Sequence, residues 1–85
     1  MIDRTGPVAP YRQVSNEIAA RIGAGDLAPR QRIPTETELC KEFGVSRGTA
    51  RNATAALRDL GLVVTVPHRG TFVAQHGEQG AEPAD

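Results

Sequence analysis

A mainly α fold, three helices closed by a β-hairpin in a winged helix-turn-helix, is what this 85-residue sequence predicts. Three observations predict it. Apolar residues recur at spacings of three and four up to about residue 60, the pattern of helices that bury one face. Two of those helices are separated only by "GVS", residues 44–46, the tight connection of a helix-turn-helix. The period then changes over "LVVTVPHRGTFVA", residues 62–74, where Val and Thr flank a Pro/Gly turn.

The elements follow in order. Residues 1–9, with Gly6 and Pro7, read as a flexible arm. Pro10 suits the first position of a helix, where a missing N–H costs nothing. Tyr11, Val14, Ile18 and Ile22 give that helix its apolar face, and Gly23 and Gly25 are expected to stop it. "DLAPRQRIP" is a connector in which "QRI" has the makings of a short strand, a third beside the two of the wing. "TETE", residues 35–38, is a capping box: Thr35 caps and Glu38 reaches back. Leu39, Cys40 and Phe43 form the buried face of this second helix, and Gly44 ends it. Ser46 caps the third helix, which is expected to run to about Leu60 with Gly61 as its stop. Its apolar face is Ala50, Ala53, Leu57 and Leu60. "PHRG", residues 67–70, is the hairpin turn. Residues 75–85 are polar, small and acidic, the composition of a disordered tail. The domain proper is thus expected at 10–74.

Composition narrows the function. The formal net charge of +0 divides unevenly: +4 over residues 4–73, −1 from Asp3, and −3 from the tail. A mildly basic domain remains compatible with a polyanionic partner. Nine arginines stand against one lysine among many Ala and Gly, a usage associated with GC-rich bacterial genes. One cysteine, Cys40, cannot form an internal disulfide and suits a reducing cytoplasm. The longest apolar run, "GLVVTV", is too short to span a bilayer. Cys40, His68 and His76 lack metal-ligand spacing, and no Gly-rich phosphate loop carries a Lys. An enzyme and a cofactor are therefore not expected.

The third helix carries the functional signal. Measured from Ala53 at about 100° per residue, Arg47, Arg51 and Arg58 fall at ~120°, ~160° and ~140°, on the solvent side. Gly48 and Ala55 share that side and keep it low enough to enter a groove. The major groove admits one helix, and Arg bonds guanine O6 and N7 through two parallel hydrogen bonds. The N-terminal part of the second helix of a helix-turn-helix reaches base edges. Arg47 and Arg51 lie there, while Arg58 is too far along and meets phosphate or water. Ser46 and Thr49 add hydroxyls near free N–H groups that favour a phosphate. At the hairpin tip, Arg69 and His68 beside Gly70 are suited to a wing meeting the minor groove or a phosphate. The alternatives are a solvated arginine face and an ordinary polar turn.

Together these residues resemble the GntR-type winged-helix domain of bacterial transcription regulators. The resemblance covers residues 10–74 and rests on "PYRQV", "GDLAP", "IPTETEL", "GVSRGTAR" and "RGTFV" in order. It implies transcriptional control, as a repressor first, by binding a short palindromic operator with GT and AC halves, two copies at a time. By position it places DNA contacts on Ser46, Arg47, Thr49 and Arg51, and on the wing around Arg69 and Gly70. Four positions depart from the family pattern. Thr37 stands where a basic residue is common, His68 and Arg30 where Gly is common, and Asn52 where Glu is frequent. Thr37 stays in the candidate site, with the phosphate contact of a basic residue expected to be missing there. No sequence for a small-molecule effector domain is visible, so the chain is either a short regulator or the N-terminal domain of a longer one. The homodimer expected on DNA would use the first helix, the arm or DNA-mediated cooperativity. The expected setting is the bacterial cytoplasm, at the nucleoid. A winged-helix protein-interaction module and a non-specific DNA binder are the other readings.

Overall fold

The computed structural model describes residues 2–74. The acidic tail assigned to 75–85, including His76, lies outside the described residues. The element order is α1 (Pro10–Ala24), α2 (Glu36–Phe43), α3 (Arg47–Asp59), β1 (Val63–Val66) and β2 (Gly70–Val73). This is the winged helix-turn-helix. Among the described residues no helix is long and apolar enough to cross a membrane.

Each helix boundary has a local cause. Pro10 occupies the first turn of α1, and Ala9 in extended backbone supplies the first carbonyl to Arg12 and Gln13, each at 3.0 Å. Gly25 ends α1 by turning left-handed, φ 87°. Gly23 lies within the helix, contrary to its expected role as a stop. A helical glycine weakens a helix by about 1 kcal/mol but does not end it unless the backbone turns there. The Thr35–Glu38 capping box is complete: Thr35 Oγ1 accepts from the Glu38 N–H at 3.1 Å, and Glu38 Oε1 accepts from the Thr35 N–H at 2.8 Å. Ser46 caps α3, its Oγ accepting from the Thr49 N–H at 3.1 Å.

The end of α3 corrects the expected apolar face. Leu60 is 59% exposed. Asp59 is the last helical residue, Gly61 turns left-handed with φ 76°, and the Leu62 N–H returns to the Leu57 carbonyl at 3.0 Å. That six-to-one closure swings the chain back, so Leu62, not Leu60, packs on the core.

One core joins all elements. Val14 and Ile18 of α1, Leu39 and Phe43 of α2, and Ala50, Ala53 and Leu57 of α3 meet Ile33, Val45, Val63 and Val73. Ala50 and Ala53 are fully buried, and their small side chains let α3 lie close against its neighbours. Burying each large aliphatic chain here contributes about 1.5–3 kcal/mol. Ser15, a buried polar residue, donates its hydroxyl to the Arg12 carbonyl at 3.0 Å. Cys40 is half-buried and packs against the core from its edge.

The hairpin is antiparallel, with Val63 opposite Val73 and Val66 opposite Gly70. Gly70 is thus the first residue of β2, and the turn is the three residues Pro67, His68 and Arg69. "QRI" forms a single antiparallel bridge, Arg32 to Phe72, rather than a full strand. Its neighbours extend the pairing: Val73 N–H to Gln31 O at 2.8 Å and Ile33 N–H to Thr71 O at 3.0 Å.

The arm, residues 2–9 as described, makes contacts of its own. Asp3 Oδ1 accepts from the Thr5 N–H, the Thr5 hydroxyl and the Gly6 N–H at 3.0, 2.9 and 3.1 Å. These bonds, the Thr5 N–H first, hold the Asp3 carboxyl below the usual carboxylate range. Gln13 ties the turn down, accepting from the Asp3 N–H at 2.7 Å and donating to Val8 O at 2.8 Å. Arg4 donates to the Gly44 carbonyl at the C-terminus of α2, where a cation is favoured. A local acidic turn and a glutamine anchor thus lay residues 2–9 along α1.

Candidate nucleic-acid interface

The N-terminal ends of α2 and α3 lie side by side. Arg47 Nη2 donates to Thr37 Oγ1 at 3.1 Å. Arg51 Nε lies 3.4 Å from Glu36 Oε2, and the Arg51 side chain is 66% exposed. An exposed pair of this kind is worth at most about 1 kcal/mol, so it orients Arg51 without committing it. Ser46 Oγ also bonds Thr49 Oγ1 at 3.1 Å. Ser46, Arg47, Gly48 and Arg51 are exposed and Thr49 is half-buried. A Cβ added at Gly48 would meet nothing nearer than Ser46 Oγ at 3.8 Å. The fold itself therefore does not require glycine there.

The hairpin tip is built differently from the four-residue turn expected. The Arg69 N–H bonds the Val66 carbonyl at 3.0 Å, with Pro67 second and His68 third in the turn. His68 has φ 66°. That is the pattern of a type II turn, whose third residue needs positive φ and favours Gly. His68, Arg69 and Gly70 are all exposed.

A cleft of about 300 Å³ lies between α3 and the hairpin. Arg32, Arg51 and Arg58 line it with Glu36, Thr54, Thr65, Gly70 and Thr71. Arg58 Nη1 donates to Thr65 Oγ1 at 3.2 Å, and Thr65 and Thr71 share a hydrogen bond of 3.1 Å across the strands. Arg58 thus braces the wing, as its place far along α3 permits. The structure brings Thr37, Arg47 and Arg51 together at one end of this surface and the hairpin tip to the other.

Sequence reasoning missed Glu36 and Arg32. Glu36 lies within the "TETE" capping box with no pattern of its own to mark it, and its approach to Arg51 is a matter of how α2 crosses α3. Arg32 lay in the connector. The signal available for it was the short-strand pattern of "QRI", which the bridge to Phe72 explains.

Comparison with known proteins places the chain in a family. The gntR family of bacterial regulatory proteins matches residues 10–73. The histidine utilization repressor of Klebsiella aerogenes is 41% identical over 78 residues, which are 92% of this chain and 32% of that protein. The transcriptional repressor NagR of Bacillus subtilis (strain 168) is 35% identical over 74 residues, 87% of this chain and 30% of that protein. The structure of AraR(DBD) in complex with operator ORR3 is similar with a TM-score of 0.75 at 45% identity, covering 82% of this chain and 92% of that one. The chain spans about a third of the length of the curated relatives it matches. With the family's residues in order, its fold and matches of this extent, the chain belongs to the gntR family of bacterial regulatory proteins.

Proposed function

We propose that this chain is an operator-binding domain of a bacterial transcription regulator, acting by repression in the cytoplasm at the chromosome. The observation that carries the reading is the pairing of Arg47 and Arg51 at the open end of α3, oriented by Thr37 and Glu36 from α2. That end of a recognition helix reaches base edges in the major groove. Ser46 and Thr49 lie at the helix N-terminus, where a phosphate is favoured. Thr37 flanks them and acts through Arg47. The tip residues His68, Arg69 and Gly70 serve the minor groove or its phosphates. The similarity to AraR(DBD) in complex with operator ORR3 supports duplex DNA as the partner. The names of the related repressors support the sign of regulation.

Selection from a random pool of duplexes tests this reading. The expected product is a palindrome bound by two copies, with the second copy joining on DNA. Arg47→Ala and Arg51→Ala should each cost on the order of 1–3 kcal/mol of binding and relax base preference at one position. Both variants binding the selected duplex like the parent would sink the recognition-helix assignment. Equal affinity for every duplex in competition would point to a non-specific binder. Sedimentation on the selected duplex checks the stoichiometry, and one copy per palindrome contradicts the dimer.

A further inference from the structure

A two-stranded ribbon is only marginally stable by itself. Here Val63 and Val73 anchor the base of the hairpin in the core, whereas Val66, His68, Arg69 and Gly70 at the far end are exposed. Something beyond the ladder must fix the direction of the tip. Arg32 is placed to do so. It bridges to Phe72, and its guanidinium carbon lies 5.6 Å from the centroid of the Phe72 ring. From there Nη2 donates to the carbonyl of Arg69 at 2.7 Å. A Cβ at Gly70 would come within 3.2 Å of Arg32 Nε and 3.5 Å of its Cζ. The missing side chain at position 70 therefore opens the space that the guanidinium fills.

We propose that Arg32 is a positioning residue for DNA binding, locking the wing tip at the height and angle from which Arg69 reaches the duplex. The inference rests on the proposed function, because it gives Arg32 its effect through the wing. A planar guanidinium stacks on a ring and donates sideways at once, which a lysine ammonium cannot do. Gly70 acquires a second role, as the seat of that guanidinium, beside any approach to DNA.

The test is a double-mutant cycle on the duplex that the parent chain selects from a random pool. Arg32→Met keeps the apolar stem over Phe72 and removes the donors, so its urea midpoint is expected to match the parent's. Its affinity should fall about tenfold, close to the fall from Arg69→Ala, and the double variant should bind no more weakly than Arg69→Ala alone. In the Arg69→Ala background, Arg32→Met should also leave the salt dependence unchanged. Additive losses, with a salt slope lower by about one, would mean that Arg32 meets a phosphate itself and would overturn the proposal. Full affinity in Arg32→Lys would overturn it too, because charge would then suffice. Arg32→Met binding like the parent while Arg69→Ala binds weakly defeats the positioning role alone. Arg69→Ala binding like the parent removes the wing from the interface and defeats both.

Discussion

His68 and Arg30 show how much a single residue's backbone can carry. Both stand where the resembling family commonly has Gly, and both adopt positive φ, 66° and 70°. The family preference thus has a steric cause at each position, and this chain departs from it at a cost. A non-glycine residue in the left-handed region is disfavoured by about 1–2 kcal/mol, offset in part by the entropy that Gly adds to the unfolded chain. His68→Gly should therefore stabilise the protein by on the order of 0.5–1 kcal/mol, read as a higher urea midpoint. A midpoint unchanged or lowered would show that the imidazole makes a compensating contact. Thr37 teaches the complementary lesson. Lacking the basic group common there, it accepts from Arg47 instead, so its contribution passes through a neighbour.

Among the elements, α2 is the shortest helix and the most dependent on its ends. Its eight residues span little more than two turns, so the capping box satisfies a large share of its exposed N–H groups. Thr35→Ala leaves the Glu38 N–H without its side-chain acceptor and should lower stability by about 1 kcal/mol. Denaturant unfolding followed by circular dichroism checks this, and a loss below a few tenths would show that water replaces the cap. The effect should extend to binding, because Glu36 and Thr37 in the first turn of α2 orient Arg51 and Arg47. The wing depends on its neighbours in the same way: Arg58 of α3 holds it through Thr65, and Arg32 of the connector holds it through Arg69.

At the scale of the whole molecule, an ion cluster ties α1 to α2. Arg21 on α1 forks onto Glu42 on α2, Nη1 donating to Oε1 at 3.2 Å and Nη2 to Oε2, while Nε lies 3.4 Å from Glu17. The Arg21 hydrogen bond, more than any other cause, holds the Glu42 carboxyl below its ordinary 4.5. The same bond raises the Arg21 guanidinium. A depressed folded value means that the stabilisation is present above the unfolded pKa and is lost as pH falls through the folded one. Both side chains touch water, which screens the pair. Urea unfolding from about pH 6 down to about pH 3 should show a steeper loss for the parent than for Glu42→Gln. Parallel curves would mean that the pair contributes nothing to the acid limb.

Features that depend on near neighbours could be read along the chain. Helix starts at Pro10, Thr35 and Ser46, the tight turn after α2 and the change of period into the hairpin were all legible, because caps and periodicity act within a few residues. So was the grouping of Arg47 and Arg51 on one exposed side of α3. Features that depend on distant parts of the chain emerged only from packing. Packing replaced Leu60 by Leu62 in the core, because the chain reverses at Gly61. It gave the arm its partners, Gln13 on α1 for Asp3 and the Gly44 carbonyl at the end of α2 for Arg4. It set Glu36 beside Arg51 through the crossing of α2 and α3, and brought Arg32 across 37 residues to the carbonyl of Arg69. Local spacing cannot encode such meetings, because a hydrogen bond between remote segments forms only where packing of the common core delivers both ends to the same place.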